Sequence, residues 1–540
     1  MTTKTILQAF ENYLRARLTF TQQLADYSSR PVHLDCLMRC GAMEHLAPLL
    51  SDVSYKVQQG AALAIGRMVN SSEEAAQLCI RLKLVEQLIH GIENRSKYYK
   101  KSAMFVLRGI AKHNPDMAGI LLASGALSGI MSCMEDFDAG VKESAIWAVG
   151  YIVKHNINHA DAIVSAGAVP LLKLALQEPE VCLRQIAAAT LSDIAKHDVT
   201  LAQAIIDAGC VSCLVKSLPN PSPKLKKNIL CCLSNIAKHS LDMAETIVET
   251  DVISDALLYL GHPDLSLRKA AACLVCEIVK HHMQLSQLVV NTGGIGGLLE
   301  MISTSDETII LPAILAIGFI SSECEQLALA AISSKAVEVL GKILQTNYSD
   351  HIKSAVVWTL GQIGKHTPEH VERMSQQHIF LVILKLYTSP ESSEDLQQKC
   401  KGMFKLVLKK CMNTKALEPL LHLAPPEILK YVIGQFSQIL PTNARARRLF
   451  VISGSLKKMQ EIKAEPGSSL MEYISIVNSC FPEDIIKYYS PGYPDALLDL
   501  VDQFVPKVGK DHLRDDDDPE DTELAAELNA PPKKGWQACS

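Results

Sequence analysis

The sequence repeats itself every 42 residues. The turn at residues 166–172 (AGAVPLL) is the first mark, and the counterparts of its Gly167 are Gly41, Lys83, Gly125, Gly209, Asp251, Gly293 and Lys335. A Lys-His dipeptide is the second mark, and it places histidines at His113, His155, His197, His239, His281 and, after a one-residue slip, His366. Two independent marks with one spacing predict an array of stacked repeats.

Each repeat contains three helical segments, as residues 199–240 show. A short segment at 201–208 ends at Gly209, a second follows at 211–218, and a longer one occupies 225–238 after a proline-rich break. The long segment carries apolar residues at helical spacing. Two-helix repeats of about 33–34 residues are too short for this pattern. The sequence therefore predicts an all-α, right-handed superhelical solenoid of armadillo repeats, with positive φ at Gly125, Gly167, Gly209 and Gly293.

Three segments divide the chain. Residues 1–29 are predicted to be an N-terminal helical cap, and residues 30–504 an array of about ten units whose period loosens after Lys335. Residues 505–540 contain nine acidic and five basic residues, the run Asp515 to Asp518 and little apolar periodicity. This composition predicts a disordered acidic tail.

Composition and charge exclude several classes of protein. A hydrophobic content of 48% with only 5% aromatics is typical of closely packed helices. A net charge of −5 argues against nucleic-acid binding driven by bulk charge. Charges within the first twenty residues argue against a signal peptide, and the longest apolar run, 309–320, is too short to cross a bilayer. The 16 scattered cysteines are therefore predicted to be buried, reduced thiols in a compartment continuous with the cytosol.

Motifs of catalysis or metal binding find no support in the sequence. The CxxC pairs Cys210/Cys213 and Cys273/Cys276 lie at different phases of different repeats, without further Cys or His at a ligand spacing. The glycine cluster at 293–297 falls on a repeat turn and follows no strand, so it does not read as a dinucleotide loop. We expect no enzyme activity, no metal and no cofactor.

A basic residue follows six of the eight turns by seventeen or eighteen positions. This row, called the basic row below, consists of Lys100, Lys142, Arg184, Lys226, Arg268 and Lys353. It falls in the first turn of the third helix. Two interpretations stand side by side: a solvated face, or a docking strip for an acidic partner. The histidines of the Lys-His mark likewise either complement a helix dipole or form a pH-sensitive strip.

The concave groove of an armadillo array is lined by third helices. In nuclear-import receptors a Trp and an Asn four residues later grip a basic peptide there. The residues at the two positions here are Leu63/Arg67, Phe105/Gly109, Trp147/Tyr151, Ala189/Asp193, Cys231/Asn235, Cys273/Glu277, Leu315/Phe319 and Trp358/Gln362. No unit has both residues, which argues against an import adaptor. Trp147, Tyr151 and Trp358 remain candidate contact residues, with simple packing as the alternative.

Several segments outside this periodicity are distinctive. They are FENY at 10–13, RSKYYKK at 95–101, EDFDAGVK at 135–142, WTLGQIGKHTPEH at 358–370, NARARRLFV at 443–451 and YYSPGY at 488–493. These segments resemble the sperm-associated antigen 6 family, armadillo-repeat proteins of the central-pair apparatus in motile cilia and flagella. The acidic tail departs from that resemblance.

The resemblance implies a cytoplasmic, cytoskeletal scaffold of the axoneme that supports motility. Its implied partners are tubulin in the microtubule and other central-apparatus proteins, with self-association left open and neither nucleic acid nor membrane among its ligands. The alternative is a soluble armadillo adaptor or transport receptor that binds peptides in its groove. The basic row is the sequence-based candidate for contact with acidic tubulin tails.

Overall fold

The computed structural model describes residues 3–462, 464–487 and 500–506, and all regular secondary structure in these ranges is helical. The chain divides into two compact units, Met1–Val252 and Ile253–Ser540. Among the described residues, no single helix is both long and apolar enough to cross a membrane, whereas three pairs of consecutive helices, bent by 71° to 87° at their junctions, reach the length and composition together.

The predicted triplet of helices recurs in both units. First helices are Leu34–Arg39, Glu73–Arg81, Pro115–Ala123, Ile157–Ser165, Val199–Asp207, Leu241–Val248, Met283–Asn291, Glu325–Ser333, Pro368–Ser375 and Ala444–Ile452. Second helices are Ala42–Leu46, Leu84–Ile89, Ala126–Met134, Ala168–Gln177, Cys210–Lys216, Val252–Tyr259, Gly294–Thr304, Ala336–Gln345, Ile379–Thr388, Thr414–Leu423 and Ser455–Gln460. Third helices are Tyr55–Ser71, Lys97–His113, Ala139–Val153, Val181–Ala195, Pro223–Ala237, Leu265–Val279, Glu307–Glu323, Asp350–Gly364, Glu394–Leu408, Pro426–Ile439 and Ser469–Ser479.

The remaining helices are short. Three 3-10 turns cover Pro31–His33, Ala47–Ser51 and Ile92–Asn94, and a last short helix covers Glu483–Lys487. The fold is thus an all-α armadillo-type solenoid, as the period predicts. A single right-handed superhelix through the whole array stays a prediction.

The turn between first and second helices is left-handed at every 42-residue mark. The φ angles are 77° at Gly125, 88° at Gly167, 71° at Gly209 and 80° at Gly293, which confirms the prediction for these glycines. The non-glycine residues at the same phase adopt this conformation too, at Lys83, Asp251 and Lys335, with His378 one slip later. A left-handed non-glycine residue costs about 1–2 kcal/mol. The repeat therefore imposes the turn even where the residue is unsuited to it.

Five histidines of the Lys-His mark connect their unit to the preceding one. The Nε2 of each ring lies 2.6 to 2.7 Å from a backbone oxygen at the end of the previous third helix; the pairs are His113–Val69, His155–Ala111, His197–Val153, His239–Ala195 and His366–Ser321. Since a carbonyl only accepts, Nε2 carries the proton. The last carbonyls of a helix have no partner within it. The ring therefore caps the neighbouring helix rather than complementing the dipole of its own.

One repeat in the second compact unit lacks its first helix. Leu408 ends a third helix and Thr414 already begins the next second helix. The residue before that helix, Asn413, has φ −85° instead of a left-handed angle, and its side chain accepts from the backbone N–H of Lys415. With no first helix to reverse from, the left-handed turn is not needed, which explains why the period shortens here.

The N-terminal segment forms one helix, Thr3–Tyr27, that packs on the third helix Tyr55–Ser71. Arg17 forms an ion pair with Asp52, and Arg67 donates a hydrogen bond to the carbonyl of Ala25. At the other end, all of the predicted acidic tail beyond residue 506 lies outside the described residues. The boundaries 1–29, 30–504 and 505–540 remain predictions.

Alanine at Gly167 is expected to lower the free energy of unfolding by about 1 kcal/mol or more, because a Cβ is strained at φ 88°. No atom lies within 4 Å of that Cβ, so backbone strain is the sole cost. Lys335→Gly is expected to raise the free energy of unfolding by up to about 1 kcal/mol, because glycine adopts the left-handed conformation without strain. Gly296→Ala, also uncrowded but inside a helix, is the matched control and should stabilise. Urea unfolding measures all three; equal effects of the two alanines would contradict the assignment.

Stability is expected to fall as the pH is lowered from 7.5 to 5.5. Burial lowers the pKa of His197 and His366 and outweighs the opposing effect of their bonds to carbonyls. The unfolded chain therefore binds more protons near pH 6.5, and stability present above that pH is lost as the pH falls.

The matched variant is His197→Gln with His366→Gln, because glutamine keeps an N–H donor and does not titrate. Carboxylates contribute equally to both chains, so the difference in urea midpoint against pH isolates the two histidines. A variant with the slope of the wild-type chain would show that these rings do not titrate with folding.

Candidate functional site

The basic row lies where the sequence places it, at the fourth residue of six third helices. Three members contact a residue 36 positions later in the sequence, at or just after the end of the second helix of the following repeat. Lys100 Nζ lies 2.7 Å from Asp136 Oδ2, Lys142 pairs with Glu178, and Arg268 Nη2 lies 2.6 Å from Thr304 Oγ1. The row thus joins consecutive repeats.

The expectation of a solvated basic face is wrong. None of the six side chains is fully exposed, and Arg268 retains only 8% of its accessible surface. Its Nε also donates to the carbonyl of Leu260 at 2.8 Å, and Arg184 donates to the carbonyl of Pro179. Stacking brings the acidic end of one repeat onto the basic turn of the previous one. Charges compensated in this way leave less for an acidic partner, so docking on the row stays an untested prediction.

Trp358 is a packing residue. It is 5% exposed, and its ring lies on Gly318, where a Cβ would overlap it. The ring of Phe319 meets it edge-on with centroids 5.1 Å apart. This burial favours packing over peptide contact, and a contact role for Trp358 stays an untested prediction.

Trp147 and Tyr151 belong to a cluster of four side chains on two neighbouring third helices. Their rings are stacked with centroids 6.0 Å apart. The guanidinium carbon of Arg108 lies 5.1 Å from the centroid of Trp147, 5.7 Å from that of Tyr151 and 5.5 Å from that of Phe105. All four side chains are half-buried. We call this group the Arg108 cluster.

Arg108 occupies a position that is small in the other repeats. Its counterparts are Gly66, Gly150, Ser192, Ser234, Cys276, Gly318 and Gly361. In two repeats an aromatic ring of the next helix lies against the backbone there: a Cβ at Gly66 would come within 2.6 Å of the Phe105 ring, and one at Gly318 would overlap Trp358. At Arg108 the guanidinium replaces that bare backbone as the surface on which Trp147 lies. Comparing this column between repeats would have found Arg108, which sequence analysis missed.

The guanidinium of Arg108 packs against aromatic rings and is not paired with a carboxylate of the described residues. Its Nε is buried without a hydrogen-bond partner, and within the described ranges no carboxylate forms an ion pair with it. The helices Tyr55–Ser71 and Lys97–His113 contain no Asp or Glu, and Glu143, one turn before Trp147, is not paired with Arg108. Lys154, one turn after Tyr151, is exposed. The surroundings of the cluster are therefore positive.

In four later repeats, the position directly after the counterpart of Arg108 carries a polar residue, and each of them already forms a hydrogen bond or ion pair within the protein. Asp193 pairs with Lys196 at 2.9 Å, and Asn235 donates to Ser192 Oγ at 3.0 Å. Glu277 pairs with Lys280, and Gln362 Oε1 accepts from Lys365 at 2.9 Å. Arg108 differs from them because, among the described residues, its guanidinium forms no hydrogen bond.

Cysteines and glycines show no arrangement for chemistry. In the described part of the chain no three His, Cys, Asp or Glu residues come together as metal ligands. Cys210 and Cys213 are buried free thiols, and burial raises the pKa of Cys210 to about 12, so the unreactive thiol form prevails. Gly293 simply begins the second helix Gly294–Thr304 with its left-handed turn.

These features define a protein with the armadillo-repeat fold. The sequence profile of the Armadillo/beta-catenin-like repeat matches residues 201–238. The crystal structure of an engineered protein superimposes with a TM-score of 0.65 at 21% identity, covering 83% of this chain and 99% of that one, a likeness that concerns the fold alone.

Among natural proteins the chain is similar to Sperm-associated antigen 6. Identity is 59% over 157 residues with the Mus musculus protein, covering 29% of this chain and 31% of that one. With the Homo sapiens protein it is 58% over 167 residues, covering 31% and 33%. The chain thus aligns with about a third of the length of these curated relatives.

Arg268→Ala is expected to lower the free energy of unfolding by about 2 kcal/mol, because the carbonyl of Leu260 and the hydroxyl of Thr304 lose a charged donor. Lys342→Ala removes an exposed cation from the same compact unit and should stay within about 0.5 kcal/mol of the wild-type chain. Urea denaturation compares the two. An Arg268 variant as stable as the control would restore the solvated-face interpretation.

Proposed function

We propose that this chain is a structural scaffold of the axonemal central-pair apparatus in motile cilia and flagella, where it binds microtubule and other axonemal proteins and supports motility. The observation that carries the proposal is the identity of 59% over 157 residues with Sperm-associated antigen 6. The distinctive segments outside the repeat period support the same family. Its location in this proposal is the axoneme, within the cytoskeleton of the cilium.

The fold supports a scaffold because a solenoid exposes a large surface for its mass, and each repeat contributes its own part of that surface. The described residues offer a cluster suited to binding, at Arg108, and no convergent set of acid, base and nucleophile. A protein of this kind acts by holding other proteins in place. Tubulin and other central-apparatus proteins are the proposed partners, and self-association remains open.

The second candidate is a soluble adaptor or transport receptor that carries peptides on its third helices. The cluster of aromatic side chains around Trp147 favours peptide binding in general. Import-type recognition is disfavoured, because Trp147 is followed by Tyr151 rather than Asn, and Asn235 spends its amide on Ser192. The scaffold proposal is therefore preferred.

Extraction of cilia separates the two candidates. The tagged full chain, expressed in a ciliated cell, is expected to stay with axonemes through detergent and 0.5–0.6 M salt washes, at about the level of tubulin, because scaffold contacts bury apolar area that salt does not screen. The matched control is an unrelated soluble protein with the same tag. Complete release of the chain with that control would contradict the scaffold and support the adaptor.

A further inference from the structure

The geometry points to a specific ligand for the Arg108 cluster: we infer that it binds a carboxylate side chain of an extended acidic segment from a partner protein. The inference rests on the proposed function in one respect, that the chain acts by binding other proteins. It adds which residues hold the partner and what chemistry that partner has.

The first step is the state of the guanidinium. Of the five N–H donors in the planar fork of Arg108, the one on Nε is buried, which leaves the four on the two terminal nitrogens for the two oxygens of a carboxylate. Three aromatic rings within 5.1 to 5.7 Å fix the plane of the fork while accepting none of its hydrogen bonds in the conventional sense. A guanidinium oriented in advance loses less side-chain freedom when it binds, which increases affinity.

The second step is electrostatic. Phe105 and Arg108 lie on a helix without Asp or Glu. The helix of Trp147 and Tyr151 contains one acidic residue, Glu143, and within the described ranges it forms no ion pair with Arg108. Lys112, one turn further along the same helix, donates to the carbonyl of Asn70 and keeps its charge there. Lys154 adds an exposed cation one turn beyond Tyr151. An acidic segment of several residues therefore meets three cations, while a basic segment meets repulsion.

The third step concerns shape. In two other repeats the small residue at this position lets a ring settle against the helix backbone, as Trp358 does at Gly318. Arg108 lifts Trp147 and Tyr151 away from that position, and both remain half-exposed. The two stacked rings then offer a flat surface beside the guanidinium for the stem of a glutamate or a neighbouring apolar side chain.

The test measures binding of a fluorescent hexaglutamate peptide to the purified full chain, with hexaglutamine as the uncharged control peptide. Arg108→Ser introduces the residue that other repeats carry at this position, so the fold should tolerate it. It is expected to weaken hexaglutamate binding by about 10- to 100-fold, because a charge-assisted bidentate contact is lost. Trp147→Leu should weaken it by a smaller factor, since the fork stays charged and loses its support.

The matched control is Lys216→Ser, which changes the net charge equally at an exposed site on a second helix. It should change affinity by less than twofold. Equal losses in the Arg108 and Lys216 variants would reduce the binding to general charge and overturn the inference. A wild-type chain that ignores hexaglutamate would also overturn it, since the site is then closed to acidic segments from other proteins. Because these measurements use purified chain and peptide, they succeed or fail independently of retention in axonemes.

Discussion

The contact between consecutive third helices is the interaction on which the rest of this protein depends. A single unit of three short helices cannot bury its own apolar faces, so each unit is stable only against its neighbours. The histidine ring that donates to a carbonyl 44 residues earlier closes the end of this contact. It gives a buried helix end the hydrogen bond that would otherwise be missing, at a cost of about 1–3 kcal/mol if left unmade. At the other end of these helices, three members of the basic row, Lys100, Lys142 and Arg268, contact partners 36 residues later.

These two ties explain which side chains are left for function. Residues whose charge or hydrogen bonds complete the stacking are committed to it, as Lys100, Lys142 and Asn235 are. Arg108 differs from these residues. The other repeats carry a small residue at its position, and its guanidinium packs against aromatic rings. A position that departs from the repeat without an obvious gain in packing is where a functional role is to be sought.

The features of this fold that depend on local rules can be predicted from the sequence. Period, helix triplet and left-handed turns all follow from residue spacing and from the conformational freedom of glycine, and the turns at Gly125 and Gly167 confirm this. The partners of the basic row and the burial of Trp358 could not be predicted from the sequence, for one reason. A repeat pattern states which residues recur, but the partner of a recurring residue lies on another unit and depends on how the units stack. Asp136 and Glu178 were visible at a constant spacing from Lys100 and Lys142, yet only stacking makes that spacing a contact.

By itself, the sequence determined that this chain is an armadillo array, where its turns fall and that its period loosens after Lys335. Such features rest on interactions within about ten residues, which spacing encodes directly. The tertiary structure alone decided that the histidines cap a neighbouring helix and that Arg268 is buried. It also decided that Arg108 lies among three rings and, among the described residues, has no acidic partner. Burial and the surroundings of a charge are properties of two surfaces in contact, and the second surface comes from residues some 40 positions away.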